Sequence, residues 1–81
     1  TFTYIQMETL IGILLYIGAI TTNVTYTTQE IYQIEDDNQE QVDAVSQDPQ
    51  QMQEVSNLLE TVTIKYLDGG DKVVVVEDVV F

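Results

Sequence analysis

The chain has 81 residues and a formal net charge of −12, with fourteen acidic side chains against two lysines and neither histidine nor cysteine. Disulfides, thiolate metal sites and any side chain that titrates near neutral pH without strong perturbation are therefore excluded. Nucleic acid and anionic membrane surfaces are disfavoured as partners, because two cations cannot displace many counterions.

A chain this short is expected to form one domain, residues 1–81. A hydrophobic fraction of 44% is ample for a folded core, yet so small a core commonly needs help from oligomerisation. Acidity is uneven. Residues 1–34 form an apolar, β-rich segment carrying only Glu8 and Glu30, residues 35–60 hold eight acids and no base, and both lysines come later.

Thr1-Phe2-Thr3-Tyr4-Ile5-Gln6 is rich in β-formers and predicts a strand. Leu10 to Ile20 carries no charge but is shorter than the ~20 residues a bilayer span requires. Its β-branched Ile11, Ile13, Ile17 and Ile20 predict a strand buried on both faces. Two rival readings of residues 9–20 stay open. Met7, Leu10, Ile11, Leu14 and Leu15 also fit the spacing of a core helix, and residues 2–20 could lie against a membrane. Thr21-Thr22-Asn23 reads as a turn. Val24, Tyr26, Tyr32 and Ile34 then share one parity, so residues 24–34 are expected to pair antiparallel with residues 9–20.

Residues 35–48 read as an acidic, glutamine-rich connection. Asp48-Pro49 supplies an N-cap and a first-position proline, with Gln51 in the reciprocal place. Met52, Val55, Leu59 and Val62 follow at helical spacing, and the prediction is an amphipathic helix over 49–61. Residues 62–81 read as a hairpin. Val62 to Tyr66 alternates, Val73 to Val76 returns, and a four-residue loop at 68–71 pairs Ile64 with Val75 and Tyr66 with Val73. A two-residue loop would instead oppose Lys65 and Lys72. Because Val73 to Val76 is apolar on both faces, this strand should be interior or covered. The expected fold is a small α+β domain: a mostly antiparallel sheet, built from the N-terminal strand pair and the C-terminal hairpin, with one helix packed on it. The expected core is Ile11, Ile13, Leu15, Ile17, Met52, Val55, Leu59, Ile64, Tyr66, Val73 and Val75.

No chemistry-bearing motif survives inspection. With Asp36 as the first ligand of an EF-hand loop, Gln41 falls where glycine is required and Gln47 where the bidentate glutamate is required. Nucleophilic triads lack a histidine base, and Asp68 and Asp71 beside Gly69-Gly70 would repel a phosphate. No catalytic residue, cofactor or metal is expected. The expected function is a non-catalytic structural or adaptor subunit of a larger assembly, such as a small virion-, capsid- or tail-associated component. It would dock on a protein partner or on itself through Val74, Val76, Val79, Val80 and Phe81. A second reading is an acidic mimic of nucleic acid that occludes a basic groove, using the surface of Glu35, Asp36, Asp37, Glu40, Asp43 and Glu54. A membrane-associated small subunit is the third. High-salt adaptation would also account for the acidity without any specific target. No basic segment precedes the apolar run, so no cleavable signal is expected, and a cytoplasmic or virion-associated location follows.

Overall fold

The structure, a computed structural model, describes residues 6–77. Four helices cover one face of a three-stranded antiparallel sheet in the order α1 (Met7–Tyr16), β1 (Thr25–Thr27), α2 (Thr28–Asp37), α3 (Gln39–Ser46), α4 (Pro49–Leu59), β2 (Val62–Leu67) and β3 (Lys72–Glu77). The expectation of an α+β fold with an antiparallel sheet holds, and its detail changes. Residues 9–20 are not a strand but mostly helix α1 and its cap. Residues 24–34 are not a partner strand but the short β1 followed by most of α2. The expected connection at 35–48 is the end of α2 and all of α3.

The physical reason lies in how α1 is buried. Leu10, Ile11, Gly12, Ile13 and Leu14 are all buried, so the helix is enclosed nearly all round and shows no amphipathic stripe. Gly12 makes this possible, because a Cβ there would sit 2.9 Å from both Leu59 Cγ and Val55 Cγ1. α1 and α4 thus approach with almost nothing between them. The helix stops at Gly18, whose φ of 79° is left-handed. The Ala19 N–H donates to the Leu14 carbonyl at 2.8 Å and the Gly18 N–H to the Leu15 carbonyl at 3.1 Å. These are the two bonds of a Schellman C-cap.

α2 begins with a capping box. Thr27 Oγ1 accepts from the Glu30 N–H, and Glu30 Oε1 accepts from the Thr27 N–H, each at 3.0 Å. Buried Ile31, half-buried Ile34, and buried Val42 and Val45 then form one apolar line that continues across the break at Asn38 into α3. In α4 the expected start is present: Asp48 Oδ1 accepts from the N–H groups of Gln50 (2.9 Å) and Gln51 (3.3 Å). Gln51 Nε2 also donates to Asp48 Oδ2 at 2.9 Å, so its side chain reaches the cap's carboxylate and not its backbone.

β3 is the central strand, flanked by β1 and β2. The hairpin register is the expected one, with Ile64 opposite Val75 and Tyr66 opposite Val73. Its turn runs through Asp68, Gly69 and Gly70 at positive φ. The Thr28 N–H donates to the Asp71 carbonyl at 2.9 Å, tying the start of α2 to this turn. Of the expected core, Ile11, Ile13, Val55, Val73 and Val75 are buried, while Leu15, Ile17, Met52, Leu59 and Ile64 are half-buried against it. Tyr66 is corrected: beside Val73 near the turn of the hairpin, it is 48% exposed. Leu10, Leu14, Ile20, Ile31, Val42 and Val45 complete the core. The expected strand over residues 1–6 falls almost wholly outside the described residues. Among the described residues, no helix is long and apolar enough to cross a membrane.

Candidate functional site

Side chains alternate between the two faces of a sheet, and directly opposed residues share a face. Tyr26, Val62, Ile64, Val73 and Val75 therefore point at the helices, where they join or pack against the core. The opposite face is built in rows across the three strands: Thr25, Val74 and Lys65; Thr27, Lys72 and Leu67; then Val76 beside Thr63. No described helix lies over these rows. Val74 and Val76 are half-buried, and Leu67 is 40% exposed.

This outer face holds both of the chain's lysines. Lys72 Nζ lies 3.4 Å from Asp68 Oδ2. Lys65 makes no ion pair among the described residues. The expected interface residues Val74 and Val76 thus share one face of the sheet, over which no described helix lies. Val79, Val80 and Phe81 lie outside the described residues.

The expected acidic surface divides in two. Glu35, Asp36 and Asp37 close α2, while Glu40 and Asp43 lie on α3. Partial burial, then the Asp36 and Asp43 carboxylates, push the Glu35 carboxyl above its ordinary value. Glu54 belongs to a separate patch on α4, where it accepts a short hydrogen bond from the Tyr16 hydroxyl. That bond, more than desolvation or the charges of Glu54 and Asp48, raises the Tyr16 phenol above its usual value. Among the described residues, no three acids converge into a cation site.

Neutral amides take the place of cations along these helices. Gln33 Nε2 donates to Asp37 Oδ1 at 3.0 Å and Gln39 Nε2 to Asp43 Oδ1 at 3.2 Å, each four residues apart. Such pairs satisfy carboxylate oxygens without neutralising them. The helical side therefore keeps its negative field while the outer sheet face carries the only positive charges. No family model, curated protein or solved structure matches the chain.

Proposed function

We propose that the protein is a non-catalytic structural or adaptor subunit that docks on a protein partner through the outer face of its sheet. The observation carrying this reading is the row structure, covered by no described helix, in which Val74 stands beside Lys65 and between Lys72 and Val76 along β3. A matching partner presents an apolar strip across the valines and a carboxylate opposite Lys65. Charge argues for a different chain and not a second copy, since a copy brings another −12 and its own lysines to the same face. Area argues the same way. Three short strands offer at most roughly 300 Å², under half of the ~800 Å² per partner in a stable interface. The partner must therefore reach past the sheet, onto the hairpin turn with Asp68 and Asp71.

Native size-exclusion of extracts from the natural source tests this, comparing the wild type with a Val74→Lys/Val76→Lys variant. The expected result is a wild type that elutes well above the 9.2 kDa of the chain, with the variant shifting to monomer while its circular dichroism is unchanged. A wild type that elutes as a monomer in that extract overturns the reading.

A further inference from the structure

A cleft of about 480 Å³ opens where the C-terminal ends of α1 and α4 meet the strand ends, lined by Leu15, Ile20, Thr21, Thr22, Leu58, Thr61, Val62 and Glu77. The volume falls within the ~300–1,000 Å³ range of small-molecule sites. Leu15, Ile20, Leu58 and Val62 make an apolar floor, whereas threonines and one carboxylate make the rim.

The rim's hydrogen-bonding is one-sided. Thr61 Oγ1 donates to the Leu58 carbonyl at 2.7 Å. Thr22 Oγ1 donates to Glu77 Oε1 at 3.4 Å. The Thr21 N–H donates to the Tyr26 hydroxyl at 3.2 Å. With the Thr22 and Thr61 hydroxyls engaged inside the protein, the rim is rich in acceptors: hydroxyl lone pairs and the second oxygen of Glu77. Two helix C-termini add their negative ends, and neither α1 nor α4 has a basic residue in its last turn. The two lysines lie on the outer sheet face, on the far side of β2 and β3 from the floor.

We propose that this cleft binds an aliphatic primary amine, with the alkyl chain on the Leu15–Leu58–Val62 floor and the ammonium at Glu77 and the threonine hydroxyls. An ammonium is the complementary head because it has three donors and no acceptor. A carboxylate of equal length meets the like charge of Glu77 and the negative helix ends. A hydroxyl can donate once, but brings no charge. The inference stands apart from the sheet-face reading, since the cleft lies on the helical side.

The test is an NMR titration of the full chain at 0.15 M NaCl with n-hexylammonium, n-hexanol and n-hexanoate, at a salt level that screens the general pull of a −12 protein. The expected result is a set of shifts centred on Leu15, Leu58, Val62 and Glu77. The ammonium should bind roughly three- to fivefold tighter than the alcohol, as a solvent-exposed ion pair allows, and the carboxylate most weakly. Shortening the amine to butyl should weaken it by up to about fourfold per methylene. Glu77→Gln, which keeps a partner for Thr22, should remove the preference for ammonium over alcohol. Glu40→Gln on α3 should leave it intact. Leu58→Ala should weaken the ammonium and the alcohol alike, which tests the floor even if Glu77→Gln folds poorly. Shifts spread over the acids of α2 and α3 would overturn the proposal. So would an ammonium preference that survives Glu77→Gln, or proton contacts from Phe81 into the cleft of the free protein.

Discussion

α1 and α4 pack against each other in the same small domain, yet they are helical for opposite reasons. α4 is specified locally: Asp48 caps it, Pro49 opens it, and Val55 is its one buried residue. α1 has no side-chain cap at Gln6 and buries five of its ten residues. Its β-branched isoleucines and central glycine oppose helix on propensity alone, each by several tenths to ~1 kcal/mol relative to alanine. Packing outweighs that preference, because burying an aliphatic side chain contributes ~1.5–3 kcal/mol. Local chemistry decides the exposed helix, and tertiary packing decides the enclosed one.

The comparison breaks most clearly at Ile13, fully buried in α1. Ile13→Ala should cost ~3–5 kcal/mol in urea unfolding, because the enclosed site cannot collapse around the cavity. Leu59→Ala on α4 should cost less, about 2 kcal/mol, since Leu59 is only half-buried. Equal losses at the two sites would show that α1 is no more dependent on packing than α4.

The contact between the helices gives a smaller, sharper effect. Gly12→Ala should improve helix propensity by ~1 kcal/mol but force Val55 and Leu59 aside at a cost of ~1–3 kcal/mol. The net expectation is a loss of about 1 kcal/mol. Combining it with Leu59→Ala vacates the space that the new methyl needs, so the double variant should be more stable than the sum of the two losses by ~1 kcal/mol. Additive losses would mean that the 2.9 Å approach is relieved elsewhere.

What was legible in the sequence follows the same division. Asp48-Pro49, the alternation from Val62 to Tyr66 and the turn at residues 68–71 are local signals, and they placed α4 and the hairpin register correctly. The N-terminal half was misread because isoleucine-rich runs have no period when every face is buried. Two local signals were nevertheless present. Thr27-Thr28-Gln29-Glu30 carries the capping-box spacing, and Gly18 follows the apolar run where a left-handed C-cap belongs. The shared parity of Val24, Tyr26, Tyr32 and Ile34 masked the first, since Ile31, the buried residue, falls on the other parity. Sequence alone named Val74 and Val76 as interface residues, but could not show that both lysines share their face. That needed the β1–β3–β2 order. The cleft lay beyond reach too, because its walls come from segments as far apart as Leu15 and Glu77.

At the α4 cap the expected effect is smaller and depends on pH. The Gln51 side-chain amide, then the N–H groups of Gln51 and Gln50, hold the Asp48 carboxyl below its ordinary value of 3.8. A group depressed in the folded state contributes stability above its unfolded value and loses it as pH falls through the folded value. Asp48→Ala should therefore lower the melting temperature at pH 7 by more than at pH 2, where the wild type has also lost the charged cap. An identical deficit at both pH values would mean that the cap acts through its shape and not its charge.

Glu35 on α2 is the opposite case, and the effect expected there is the smallest. Burial and two neighbouring carboxylates raise its value above 4.5, so the fold favours its neutral form. That contribution is complete below pH 4.5 and disappears as pH rises through the folded value. At neutral pH the charged Glu35 therefore weakens the fold. Glu35→Gln should raise the melting temperature slightly at pH 7 and leave it unchanged near pH 4, where the wild type is already largely protonated. Salt offers an independent check, because Asp36 and Asp43 act on Glu35 through solvent that 1 M NaCl screens to ~3 Å. The wild-type melting temperature should climb between 0.1 and 1 M NaCl, and Glu35→Gln should climb less. If both climb in parallel, the repulsion is a property of the whole −12 chain. If neither does, the glutamine–carboxylate pairs of α2 and α3 already hold the acids apart.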